Sequence, residues 1–126
     1  MRVIDSSGWL EWFTDGPLAE RYHRFLETPD NILLPAVVVY EVYKVLKRER
    51  GEETALTALG YMQQSKVIAL DAIGALQAAD LALRHGLAMA DAMVYATARS
   101  HDCELVTSYS DLKGLQKVTL LSKSKQ

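Results

Sequence analysis

Short apolar runs rich in β-branched residues alternate along this chain with longer amphipathic stretches, and no other feature limits the possible folds as strongly. "RVI" (2–4), "NILL" (31–34), "VIAL" (67–70), "CELVTS" (103–108) and "VTLL" (118–121) read as strands lying near polar breaks. Helix-length segments fall between them at 17–28, 35–50, 53–65, 73–85 and 88–101, with a shorter helix expected after Gly8 and a turn near 111–114. Pro35 suits a first helical position after a strand, and Gly51 suits the end of the helix that carries "KRERG". Strands separated by helices pair through crossover connections, which predicts a mostly parallel sheet covered on both faces. Functional sites in such sheets form at the carboxyl ends of the strands.

The chain has 126 residues, enough for one domain over 1–121 with a real core, followed by a polar tail, "SKSKQ" (122–126). No apolar run approaches the roughly 20 residues that span a bilayer. The opening "MRVIDSSGW" meets an acid at Asp5 and lacks the apolar core of a signal peptide, and Cys103 is the single cysteine. The expectation is therefore a protein without internal disulfides, in a reducing cytoplasm, with no membrane partner. A net charge of -2 excludes a strongly basic nucleic-acid binder but leaves room for a local basic patch.

Four acids stand where the sheet rule directs attention. Asp5 closes the first strand in "VIDSS", where it is either a helix cap or a site residue. Glu41 lies in "PAVVVYEVYKVLKRERG", at the edge of the stripe formed by Val38, Val42, Val45 and Leu46. It is either an ion-pair partner of Lys44 or a group facing the sheet edge. Asp91 is the one full charge in the middle of "GLAMADAMVYATAR" (86–99), near a helix start where capping and metal ligation are both open. Asp111 follows the fourth strand in "LVTSYSDLKGL", where a turn or cap role competes with function. Asp80 serves as a contrast: it shares a stripe with Ile73, Leu76 and Leu83, can pair with Arg84, and lies far from any strand end, so it reads as structural. A parallel sheet would gather Asp5, Glu41, Asp91 and Asp111 at one edge. Crowded carboxylates repel, which raises their pKa values or recruits a cation, and oxygen-only donors favour Mg²⁺ or Mn²⁺ over zinc.

Taken in order, "VIDSS", Glu41 after "LLPAVVVYEV", "GLAMADAMVYATAR" and "LVTSYSDLKGL" resemble the PIN-domain ribonucleases, most closely the VapC toxins of prokaryotic toxin–antitoxin pairs. The resemblance covers nearly the whole chain. It implies a three-layer α/β fold with a central five-stranded parallel sheet of order 3-2-1-4-5 flanked by helices. It implies an endoribonuclease that uses Mg²⁺ or Mn²⁺, a cognate antitoxin that blocks the site, and a homodimer. Carried over, Asp5, Glu41 and Asp91 are the metal-holding acids. The fourth acid of the family commonly lies two residues after the threonine of the fourth-strand motif, and here that position is Tyr109. Asp111, two residues on, either substitutes for it or caps the turn. Thr107 matches the motif threonine and Ser6 a small hydroxyl residue common beside the first acid. Both are implied to orient a carboxylate or a water.

Other constellations are poorer. His101, Asp102 and Cys103 lack a second pair at zinc-ligand spacing, Ser6 and Ser7 lack a nucleophile elbow, and no glycine-rich phosphate loop occurs. Trp9, Trp12 and Phe13 read as core packing or as an interface. The basic run "KVLKRERG" is either a solvated helix face or a set of phosphate contacts through Lys44, Lys47 and Arg48, with Arg99 a further RNA-binding candidate. The leading reading is hydrolysis of RNA by water attacking phosphorus in line, leaving a 5′-phosphate and a 3′-hydroxyl. The alternative is a non-catalytic PIN-like interaction module, which Tyr109 supports and the intact Asp5, Glu41 and Asp91 oppose. A phosphoacceptor receiver-type domain lacks the acid pair expected after its first strand.

Overall fold

In the computed structural model, which describes residues 1–122, five short strands form one parallel sheet: β1 (Arg2–Ile4), β2 (Ile32–Pro35), β3 (Lys66–Ile68), β4 (Glu104–Thr107) and β5 (Val118–Leu120). Their order is β3-β2-β1-β4-β5, as the resemblance implies. Of the expected tail over 122–126, residues 123–126 lie outside the described residues. Six helices flank the sheet: α1 (Ser6–Phe13), α2 (Ala19–Leu26), α3 (Ala36–Arg50), α4 (Glu52–Met62), α5 (Ala72–His85) and α6 (Met89–Ser100). They pack as α1 on α2, α3 on α4 and α5 on α6, and α3 also meets α1 and α6.

The central strand is apolar on both faces, as a strand covered by helices on each side must be. Val3 and Ile4 are fully buried, beside Leu33 of β2 and Leu105 and Val106 of β4. The chain leaves β1 toward β2 on one side and returns to β4 on the other. That reversal opens a crevice at the carboxyl ends of β1 and β4. Ile4 pairs with Val106, so the next residue on each side, Asp5 just past β1 and Thr107 at the end of β4, face each other across it.

Local chemistry sets the helix ends. α1 starts at Ser6, with Gly8 inside it, rather than after Gly8. The reason is that the Asp5 carboxylate accepts from Ser7 N–H at 2.9 Å and caps the helix. Gly8 is required inside α1 because a Cβ there would lie 2.4 Å from Tyr22 Cε1 and 2.6 Å from Ile4 Cγ2. Pro35 ends β2 and forms the N-cap of α3 instead of occupying its first turn, so strand and helix join without a loop. Gly51 ends α3 at φ 94°, a conformation that favours glycine. β3 is shorter than the expected 67–70 and sits at the sheet edge, with Val67 exposed.

One apolar stripe turns the opposite way from the expectation. Ile73, Leu76 and Leu83 of α5 are 67%, 68% and 86% exposed, while Ala78 is the buried residue of that helix. A small-residue face suffices against α6, whose own facing residues include Ala92 and Ala96. The large aliphatics are thereby left outside. Asp80 is exposed on the same helix and forms no ion pair with Arg84 among the described residues. The aromatic cluster divides: Trp9 is fully buried, its indole N–H donating to the Ile4 carbonyl at 3.1 Å, whereas Trp12 and Phe13 are half-buried beside Tyr61 of α4.

Gly8→Ala tests the close approach of α2 to α1. Alanine favours a helix over glycine by about 1 kcal/mol, but forcing the Tyr22 ring and Ile4 aside costs about 1–3 kcal/mol. Urea unfolding is expected to show a net loss of stability. A variant as stable as the wild type would mean that the ring has room to move.

Candidate active site

Asp5 is the most constrained side chain at the carboxyl edge of the sheet. It is 2% exposed. One carboxylate oxygen accepts from both the backbone N–H and the hydroxyl of Ser7, and the other accepts a short hydrogen bond from the Thr107 hydroxyl. These partners are held in turn. Ser7 Oγ accepts from Ser108 N–H at 2.9 Å, Ser108 Oγ bonds the Tyr22 hydroxyl at 2.6 Å, and Thr107 Oγ1 accepts from Tyr109 N–H at 3.0 Å. The network ties the end of β1 to the end of β4 and to α2.

Glu41 and Asp91 enter the same crevice from two helices. Glu41 is the sixth residue of α3 and half-buried; it forms no ion pair with Lys44, whose ammonium lies 3.3 Å from the Tyr40 hydroxyl. Asp91 lies in the first turn of α6, but Ala88 is the N-cap and Asp91 makes no capping bond. The dipole favours its charge there. Burial, with a lesser push from the Asp91 charge, raises the pKa of Asp5 to about 6 against the lowering influence of Ser7 and Thr107. Burial and then Asp91 raise Glu41, against the lowering influence of the Ser6 hydroxyl and of Lys44. Burial and then the charge of Asp111 raise Asp91. Asp91 is thus the group through which the other acids feel one another. Asp111 is exposed, in the 3-10 turn Ser110–Leu112, and couples to Asp91 alone of the acids.

Tyr109 occupies the crevice itself. Its hydroxyl lies 3.1 Å from Ser6 Oγ, and burial raises its pKa, as do the charges of Asp5, Glu41 and Asp91. The basic candidates do not converge. Lys44 lies near Glu41, Lys47 pairs with Glu52 at 3.4 Å and Arg48 with Glu49 at 3.1 Å. Arg99 sits in the last turn of α6, about 12 Å along the axis from Asp91. Sequence reasoning overlooked Ser7, Ser108 and Tyr22. Ser7 was readable from "DSS", since the second residue of a capped helix faces the cap. Tyr22 had no local signal, because it reaches Ser108 only through packing.

The donor set at the crevice is oxygen only, and three of its carboxylates have their charged forms disfavoured by burial and by a neighbouring acid. That chemistry suits a hard divalent cation. Among the described residues no three His, Cys, Asp or Glu groups form a ready-made cage. No helix of the described residues is long and apolar enough to cross a membrane.

A family model described as PIN domain matches residues 2–118. Several solved structures share the fold. A toxin–antitoxin complex from Klebsiella pneumoniae superimposes with a TM-score of 0.79 at 21% identity, over 94% of this chain and 96% of that one. VapC20 of Mycobacterium tuberculosis, a Sarcin-Ricin loop cleaving toxin, gives 0.74 at 18% identity, over 90% and 92%. DNA-bound VapBC from Salmonella typhimurium gives 0.75 at 16% identity, over 97% and 98%. No protein with a curated description matches. At these identities the likeness to the solved structures is one of fold.

The raised pKa of Asp5 makes a signed prediction about stability. An acid whose pKa is higher in the folded state than its ordinary 3.8 stabilises the fold below pH 4, and that contribution is lost as pH rises through about 6. The gap corresponds to roughly 3 kcal/mol at full deprotonation. Asp5→Asn in metal-free buffer is therefore expected to be about 1–3 kcal/mol more stable than the wild type at pH 8, with the advantage gone at pH 4. Denaturant unfolding at pH 4, 6 and 8 measures this. A difference independent of pH would show that burial does not hold the proton on Asp5.

Proposed function

This chain belongs to the PIN-domain family, and from that membership we propose that it is a metal-dependent endoribonuclease and the toxin of a toxin–antitoxin pair. The observation that carries the reading is the approach of Asp5 at the end of β1, Glu41 of α3 and Asp91 of α6, in which the Asp91 charge opposes ionisation of both Asp5 and Glu41. These three residues would hold Mg²⁺ or Mn²⁺, with Asp111 the outermost candidate for a fourth acid. A bound divalent ion neutralises phosphate charge and lowers the pKa of water.

The protein's own groups do the positioning. Ser7 and Thr107 leave the Asp5 carboxylate no rotational freedom, and the Tyr22–Ser108 bond braces Ser7. Lys44, with no acid partner within ion-pair distance among the described residues, is available beside Glu41 for a phosphate of the RNA strand. No histidine base stands at the crevice, so proton removal from the attacking water falls to the carboxylates. The scissile bond is hydrolysed to a 5′-phosphate and a 3′-hydroxyl.

Two apolar surfaces support the partner assignments. A groove of about 580 Å³ between α1 and α4, lined by Trp12, Phe13, Leu46, Ala58 and Tyr61, is assigned to the antitoxin. Similar folds occur in toxin–antitoxin complexes. The outer face of α5, with Ile73, Leu76 and Leu83, adjoins the β3 edge with its exposed Val67 and Leu70, and is assigned to a second copy of this chain.

RNA cleavage is expected with Mg²⁺ or Mn²⁺, to stop with EDTA, and to fall at least a hundredfold in Asp5→Asn. Gel analysis of a structured RNA substrate with 5′-end mapping measures it. Cleavage that persists in EDTA would reject the mechanism, and a folded, metal-binding but inactive wild type would favour the non-catalytic module. Leu76→Glu is expected to convert a dimer to a monomer in sedimentation experiments, because a charge would face its own copy across the two-fold axis. A wild-type monomer at high micromolar concentration would remove the dimer assignment.

A further inference from the structure

We propose that Tyr109 is a nucleobase platform: its ring, fixed at the lip of the acid crevice, stacks on an unpaired base of the RNA strand. The proposal rests on the ribonuclease reading and adds to it a class of substrate, a strand with a base out of pairing. Tyr109 is tied at both ends to groups that flank Asp5. At the backbone end its N–H donates to Thr107 Oγ1 at 3.0 Å, and the Thr107 hydroxyl donates to the Asp5 carboxylate. At the other end its hydroxyl lies 3.1 Å from Oγ of Ser6, the residue that follows Asp5. The ring is held beside Asp5 whichever oxygen of that last pair donates.

The polar groups of Tyr109 are engaged within the protein. Its carbonyl accepts from Leu112 N–H at 3.1 Å, and Leu112 is fully buried, which anchors the turn. Tyr109 is nevertheless 38% exposed. With N–H, carbonyl and hydroxyl all partnered, what it offers a ligand is chiefly the face of its ring. Such a surface suits a nucleobase, since every base has a π-face and a ring already held in place loses little freedom on stacking. A nucleotide whose phosphate reaches the acids carries its base only one ribose further. In a duplex both faces of a base are covered by its neighbours, so the platform selects an unpaired one. Tyr40 is the more exposed ring, at 60%, but the Lys44 ammonium lies 4.9 Å from its centroid and 3.3 Å from its hydroxyl, so that ring already has a partner.

The test compares fluorescein-labelled decauridylate with a base-free ribose–phosphate strand of the same length and charge. Binding is read by anisotropy in CaCl₂, with the strands checked on gels afterwards. The wild type is expected to bind the strand with bases about tenfold more tightly than the base-free one, the scale of one base stacked on an aromatic side chain. Tyr109→Leu is expected to lose most of that preference, while its affinity for the base-free strand, set by phosphate contacts, stays within about twofold of the wild type. Tyr109→Phe keeps the ring and is expected to keep the preference. A second measurement needs no folded Leu variant. The Tyr109 ring protons of the wild type, assigned by comparison with Tyr109→Phe, are expected to shift on adding decauridylate but not the base-free strand or a decauridylate–decaadenylate duplex. Equal affinity of the wild type for the two strands, or an undiminished preference in Tyr109→Leu, would overturn the proposal. Ring signals that respond to neither strand would also overturn it and leave the exposed ring to a protein partner. Cleavage with MnCl₂ is scored separately. Stacking without cleavage would uphold the platform and remove the ribonuclease reading, whereas cleavage without base preference would do the reverse.

Discussion

A carboxylate held at 2% exposure, one residue past the central strand, is the constraint around which the rest of this protein is arranged. Water would otherwise supply the hydrogen bonds that a charged group needs, so the protein must replace them. It does so with three donors from two chain segments a hundred residues apart: the Ser7 N–H and hydroxyl, and the Thr107 hydroxyl. These bonds exist only because Ile4 and Val106 are paired in register, which sets Asp5 opposite Thr107. A slip of one residue would turn every side chain of the strand to the other face and leave the carboxylate unsatisfied.

The same carboxylate also starts a helix. By accepting from Ser7 N–H it caps α1, and α1 carries Ser6 into contact with Tyr109 and Gly8 under the Tyr22 ring. Capping and membership of the acid crevice are therefore not alternatives for Asp5. One oxygen pair serves both, and the raised pKa shows that the replacement bonds do not fully offset burial. Strained electrostatics of this kind are typical of functional sites, where stability is given up for a prepared arrangement of charge.

Away from the crevice the packing obeys simpler rules, and its exceptions concern surfaces. Small residues let α5 and α6 approach closely, with Ala78, Ala92 and Ala96 at or near full burial. The larger aliphatics of α5 then have no place inside. Trp12 and Phe13 meet a related limit: Trp9 fills the space beneath α1, so its neighbours are confined to the groove facing α4.

The sequence by itself determined the succession of strands and helices, a mostly parallel sheet, and four acids at strand and helix ends; the strand order with its switch at β1 came from the resemblance to PIN domains. All but the last are local or follow from connection rules: periodicity marks elements, caps mark their ends, and crossover handedness leaves few topologies. Only the tertiary structure decided which face of α5 is buried, since a stripe of Ile73, Leu76 and Leu83 looks identical whether it meets a core or solvent. It also decided that Asp91 is not a cap, that Arg99 lies two turns from the acids, and that Tyr22, Ser108 and Tyr109 belong to the network around Asp5 and Ser6. The reason is the same in each case. A hydrogen bond between residues a hundred positions apart leaves no periodic trace in the chain, because it depends on strand register and on which side chains fill the space between layers.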